Sequence, residues 1–137
     1  MLIRGAMLMT LPFDPLKVTL NDKYTLDEGR VFMSGLQALV RLPLVQKRRD
    51  RAAGLNTAGF ISGYRGSPLG NYDQELWKAG KLLGSHDIVF QPGINEDLAM
   101  TAVWGSQQTN LHPGAVMTGC SASGTARAPG STVRWMC

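Results

Sequence analysis

Two short apolar runs, each followed by a turn of small residues and then by a helix-forming segment, constrain this chain more than any other feature. The first run, TAGFIS (57–62), leads through GYRGSPLG (63–70) into a helix predicted over about 71–84. That helix holds Leu76, Trp77, Ala79 and Leu83, with Gly84 as its stop. The second run, DIVFQ (87–91), leads through PGI into a helix predicted over 95–109. Consecutive strand–turn–helix units predict an α/β fold with a parallel sheet, because parallel strands need a crossover and a helix supplies it. Ligands of such sheets bind outside the carboxyl ends of the strands, so both turns are candidate sites. Upstream, Thr25-Leu26-Asp27-Glu28 has the pattern of a capping box. The helix it opens is expected to reach about Ala53, carrying Val31, Phe32, Leu36, Leu39, Val40 and Val45, with Pro43 kinking or dividing it.

A chain of 137 residues forms one domain. Its net charge of +4 is concentrated in KRRDR (47–51), which reads either as a phosphate-binding patch or as a solvated helix end. No aromatic residue interleaves there, so a nucleic-acid partner is not expected. The apolar runs are too short to span a membrane. Residues 1–22 read as an irregular leader rather than a secretory signal, with Pro12 interrupting the apolar opening and Met7 and Met9 as alternative starts. Cys120 and Cys137 are the only cysteines, which excludes a disulfide framework and a metal-ligand spacing. The cytoplasm is the expected compartment.

Several residues have chemistry to offer. In GYRGSPLG, Gly66 and Pro68 tighten a turn that carries the Ser67 hydroxyl and the Arg65 donor fork, suited to a carboxylate or phosphate. The same residues also suit a plain strand-to-helix turn. Asn95 and Glu96 open the last helix, where a carboxylate is stabilised by the helix macrodipole whether or not it has another role. His86 and His112 lack partners at ligand spacing and read as surface residues. Val103 and Trp104 are expected on the core face of the last helix, with Gln107 and Gln108 at its end.

KYTLDEGRVFMSGLQALVRLPL, GLNTAGFISGYRGSPLG and VFQPGINEDLAMTAVWGSQQTNLHPGA resemble, in order and nearly without gaps, the amino-terminal end of indolepyruvate ferredoxin oxidoreductases in their long fused bacterial form. The resemblance implies an incomplete parallel-sheet thiamine-diphosphate domain, the pyrimidine-binding one, beginning at residues 23–115. It implies oxidative decarboxylation of indolepyruvate or related aryl or branched 2-oxoacids to acyl-CoA, with ferredoxin reduced. Thiamine diphosphate is the implied cofactor, with Mg and 4Fe-4S clusters in parts of the family's chain that lie beyond this match. The implied partners are the 2-oxoacid, CoA and ferredoxin, and a homo-oligomer is expected of the full-length enzyme. By the same resemblance Glu96, with Asn95 beside it, meets the cofactor's aminopyrimidine and promotes loss of the thiazolium proton. Ser67, Arg65, Gly66 and Pro68 correspond to the turn that lines the 2-oxoacid pocket. Arg65 stands where relatives have Pro.

The resemblance stops at Ala115. Relatives continue Tyr-Asp-Gly-Val-Phe-Gly-Ile-Trp-Tyr-Gly-Lys-Gly-Pro-Gly-Val-Asp-Arg. A shift of the reading frame that gives each codon its last two bases from a residue of this chain permits that sequence at every position from Met117 to Val133. Residues 116–137 are therefore expected to be a frameshifted, non-native tail, and the isolated chain to be inactive. The alternative is a non-catalytic α/β binding or interaction module.

Overall fold

The long helix expected to open at Thr25–Glu28 starts at Gly35 instead. In the computed structural model, which describes residues 17–65, 69–111, 113–125 and 134–136, Asp22–Thr25 form a single turn, α1. Thr25 ends that turn, its Oγ1 donating to the Asn21 carbonyl at 3.1 Å. Gly29 then takes a φ of 106°, which breaks any helical continuation. The capping box belongs instead to Ser34 and Gln37. Ser34 Oγ accepts from the Gln37 N–H at 3.3 Å, and Gln37 Oε1 accepts from the Ser34 N–H at 3.0 Å. Phe32, expected in the helix, precedes it and is fully exposed.

The helix so started, α2 (Gly35–Ala52), is not divided by Pro43. Pro43 is buried in line with Val40 and Leu44, and that packing offsets the hydrogen bond its nitrogen cannot make. Two arginines of α2 fasten α1 to it. Arg41 donates to the carbonyls of Lys23 and Leu26, and Arg48 to that of Tyr24, which satisfies acceptors left open at the end of a helical turn.

The strands are β1 (Thr57–Gly63), β2 (Ile88–Phe90), β3 (Gly119–Thr125) and β4 (Arg134–Met136), in the spatial order β2-β1-β3-β4. β1 is parallel to both of its neighbours, and β4 returns antiparallel to β3. The fold is thus α/β with a three-stranded parallel core. The first two strands lie where the apolar runs predict them. The third is GCSASGT, which lies in the segment expected to be a tail and pairs with β1 from Thr57↔Gly119 to Gly63↔Thr125. The helix predicted over 71–84 is broken at Ala79 into α3 (Tyr72–Lys78) and α4 (Gly80–Gly84). The last helix, α5 (Glu96–Ser106), is followed by a 3-10 turn at Thr109–Leu111.

On one face of the sheet Ile61 and Ile88 pack with Val40 and Leu44 of α2, Tyr72 and Leu76 of α3 and Leu83 of α4. On the other, α5 lies against β1 and β3, with Ala99, Val103 and Ala122 fully buried. Trp104, expected beside Val103 in the core, points outward and is 60% exposed, because α5 covers the sheet through a stripe too narrow to include it. Gly63 marks the closest approach in the sheet: a Cβ there would overlap Oγ1 of Thr125.

The KRRDR run is structural at Lys47 and Asp50 while Arg49 and Arg51 stay exposed, so the expected solvated end holds for only part of it. Lys47 is 3% exposed, donates to the Thr57 carbonyl and pairs with Asp87 at 2.9 Å. Asp50 is buried and accepts from Thr57 Oγ1 and Gln46 Nε2. Arg48 pairs with Asp27 and Arg51 with Asp87. No helix among the described residues is long and apolar enough to cross a membrane.

Two outcomes follow from this packing. Gly63→Ala forces a methyl into Thr125 and is expected to cost about 1–3 kcal/mol in urea unfolding, with Thr125→Ala in the same chain recovering most of the loss. The hydrogen bond and charge of Lys47, aided by Arg51, hold the Asp87 carboxyl below its ordinary value of 3.8. A carboxyl lowered on folding stabilises fully above its unfolded value and loses that contribution as pH falls through the folded one. Stability should therefore fall as pH drops below the unfolded value of 3.8 and on through the lowered folded one, and Asp87→Asn, which tolerates the positive φ of this position, should flatten that fall.

Candidate functional site

At the carboxyl ends of β1 and β2 the two candidate turns are tied together by backbone. Gln91 N–H donates to the Ile61 carbonyl and Gly93 N–H to the Gly63 carbonyl, each at 2.9 Å, and Tyr64 bridges Gly93 in parallel. The Ser62 hydroxyl adds a bond to the Gln91 carbonyl at 2.8 Å. Gly93 lies against α5 so closely that a Cβ there would stand 2.6 Å from the Ala99 Cβ. The chain therefore passes from β2 directly into the start of α5, where Glu96 is the first helical residue.

Asn95 is the N-cap of α5, its Oδ1 accepting from the Leu98 N–H at 2.9 Å. Glu96, the first helical residue, is half-buried, and Ile94 and Leu98 on either side of it are 83% and 52% exposed. These apolar neighbours form a bare rim on the sheet's carboxyl edge.

Beside that edge, between β1 and the start of α3, a cavity of about 180 Å³ has an apolar floor of Ile61, Leu76 and Phe90. Its polar wall is formed by Arg65, Asn71, Asp73 and Thr125. The guanidinium of Arg65 is 77% exposed and its Nε meets Asp73 Oδ2 at 3.1 Å. Asn71 takes φ 71°, a left-handed conformation that Asn accommodates, and so turns the chain into α3. Tyr72 also borders the cavity. Its hydroxyl is buried without a hydrogen-bond partner, as is that of Ser123 on the facing strand. Burial pushes the Tyr72 phenol up to about 12, and the nearby Ser123 hydroxyl offsets only part of that rise although the two do not reach bonding geometry.

Of the residues singled out in the sequence, Arg65 lines the cavity, whereas Asn95 and Glu96 stand at the adjoining turn and not on the cavity wall. Gly66, Ser67 and Pro68 lie outside the described residues, as does His112. His86 is half-buried with Nδ1 2.9 Å from the Leu82 carbonyl, a local contact at the end of α4. Cys120 is half-buried, and burial raises its thiol pKa, the opposite of what a reactive cysteine needs. Asp73 and Thr125 were missed. Asp73 follows the turn and could have been read as a partner for Arg65. Thr125 gives no local signal, because only the β1–β3 pairing brings it there. Among the described residues no three His, Cys, Asp or Glu side chains are grouped as metal ligands would be.

Comparison with family models, with curated proteins and with solved structures gives no match to this chain.

The cap is the testable element of this geometry. Asn95→Ala removes the acceptor for the Leu98 N–H and should destabilise the chain by about 1 kcal/mol, with Asn95→Asp close to the unsubstituted chain in the same unfolding measurement.

Proposed function

We propose that this chain is the amino-terminal part of a thiamine-diphosphate-dependent 2-oxoacid:ferredoxin oxidoreductase of the indolepyruvate type. Such an enzyme oxidatively decarboxylates an aryl or branched 2-oxoacid to its acyl-CoA and reduces ferredoxin. The observation that carries this reading is the meeting of residues 63–65 with the start of the PGINE turn at the carboxyl edge of adjacent parallel strands, bridged through Tyr64 and Gly93. Arg65 lines the cavity there, and Glu96 stands at the adjoining turn with the exposed Ile94 and Leu98 on either side.

The residues present fit one end of the cofactor. Bound thiamine diphosphate supplies the electron sink for decarboxylation. Glu96 offers a half-buried carboxylate that can hold a proton against a ring nitrogen, and Asn95 keeps its side-chain amide nitrogen free of the cap it makes through Oδ1. The family resemblance assigns Mg and the 4Fe-4S clusters to parts of the enzyme beyond residues 23–115. Arg65 and Ser67 are assigned to the substrate carboxylate.

The frameshift reading of residues 116–137 rests on the agreement of codons, and β3 lies within that segment. Read in the alternative frame, its positions become Gly-Val-Phe-Gly-Ile-Trp-Tyr, a run rich in strand-forming residues, at the place where a third parallel strand lies. Trp at position 124 would require the Met100 side chain to swing aside, since Met100 Sδ is 2.6 Å from a Cβ built there.

Glu96→Gln in the frame-restored, full-length protein should slow exchange of the thiazolium proton by about 10²–10⁴ while leaving the unfolding transition in place. Near-normal exchange would remove Glu96 from the chemistry. A second reading, a non-catalytic α/β module, is favoured by β3 as it stands in this chain, which pairs along the whole of β1. Sharp cooperative melting of the 137-residue chain, with 119–125 protected from hydrogen exchange, would select it.

A further inference from the structure

Asp73 has no part in the function proposed above, yet it is the sole partner of the Arg65 guanidinium among the described residues. Both side chains line the cavity at the carboxyl end of β1. The two differ in freedom. Arg65 is 77% exposed, whereas Asp73 is 21% exposed and is fixed in the first turn of α3. An exposed arginine loses much rotamer freedom when it binds an anion, and a tether at one nitrogen reduces that loss. Nε is the nitrogen engaged, which leaves the four N–H donors of the two Nη nitrogens for a second acceptor.

We propose that Asp73 is a positioning residue that holds Arg65 at the mouth of the cavity, so that the Nη edge of the guanidinium receives the carboxylate of a small organic acid. This rests on the reading of the cavity as a 2-oxoacid pocket. A volume of about 180 Å³ lies below the usual range of drug-sized sites, and suits a small acid or the carboxylate end of a larger one. The floor of Ile61, Leu76 and Phe90 receives the apolar part. The opposite arrangement, in which Asp73 competes with the ligand for Arg65, predicts the reverse sign for the same substitutions.

The test is a titration of the purified chain with phenylpyruvate, following the Arg65 Nε–Hε resonance by nitrogen-15 NMR and the affinity by calorimetry. Saturable binding is expected, with the Arg65 resonance shifting. Asp73→Ala should weaken it about tenfold, and Asp73→Asn, which keeps an acceptor of the same shape, should recover part of the loss. In an Arg65→Ala background Asp73→Ala should add nothing, because the effect runs through the guanidinium. Unchanged or tighter binding by Asp73→Ala, or an equal loss with and without Arg65, overturns the positioning role and leaves the pocket standing. Absence of saturable phenylpyruvate binding by the unsubstituted chain overturns the pocket reading and this proposal together. Should Asp73→Ala fail to fold, Asp73→Asn alone decides, since affinity equal to the unsubstituted chain without a shifted Nε environment would contradict a charged tether.

Discussion

Gly63 and Thr125 face each other across the last rung of the β1–β3 ladder with no room for a side-chain carbon between them. That contact leaves the last rung of the ladder open only to glycine while Thr125 keeps its side chain where it is, and the ladder it ends is the centre on which both helical layers pack. A parallel sheet must be covered on both faces. Here α2, α3 and α4 cover one face through Ile61 and Ile88, and α5 covers the other across β1 and β3. The cover is uneven. Val89 of β2 is exposed, and so are Ile94, Leu98 and Trp104 along and beside α5.

The two ends of the sheet are built differently. At the amino end, Lys47 is buried but paired with Asp87 and bonded to the Thr57 carbonyl, while Asp50 takes the Thr57 hydroxyl. A buried charge costs folding energy unless it is paired and hydrogen-bonded, and these groups meet that condition. At the carboxyl end the polar groups are less complete. The hydroxyls of Tyr72 and Ser123 have no partner, and the cavity beside them is walled by Arg65 and Asp73. The paired charges thus lie at one end of the sheet and the cavity at the other.

The site was legible in part. GYRGSPLG and GINE stand out because Gly, Pro and a polar residue cluster directly after apolar runs, and such clusters are turns for local steric reasons. Their meeting at one edge follows from parallel pairing of β1 and β2. Asp73 and Thr125 were not legible as site residues, since their part depends on where a side chain reaches across a turn and on which strand lies next to β1. The start of α2 was misplaced for a related reason. Two capping patterns compete, and a glycine with positive φ and the docking of α1 under Arg41 and Arg48 settle the choice in favour of Ser34.

By itself the sequence determined the local chemistry: two apolar strands, the turns that end them, the Asn95 cap and the α/β alternation, all of which act within a few residues. Only the tertiary structure decided that GCSASGT is a strand. Its small polar residues have weak intrinsic preference for one, and the hydrogen bonds that hold it belong to β1, some sixty residues earlier. It likewise decided that Lys47 is buried and Trp104 is not. Burial depends on which face finds a partner, and the length and charge of a side chain do not reveal that.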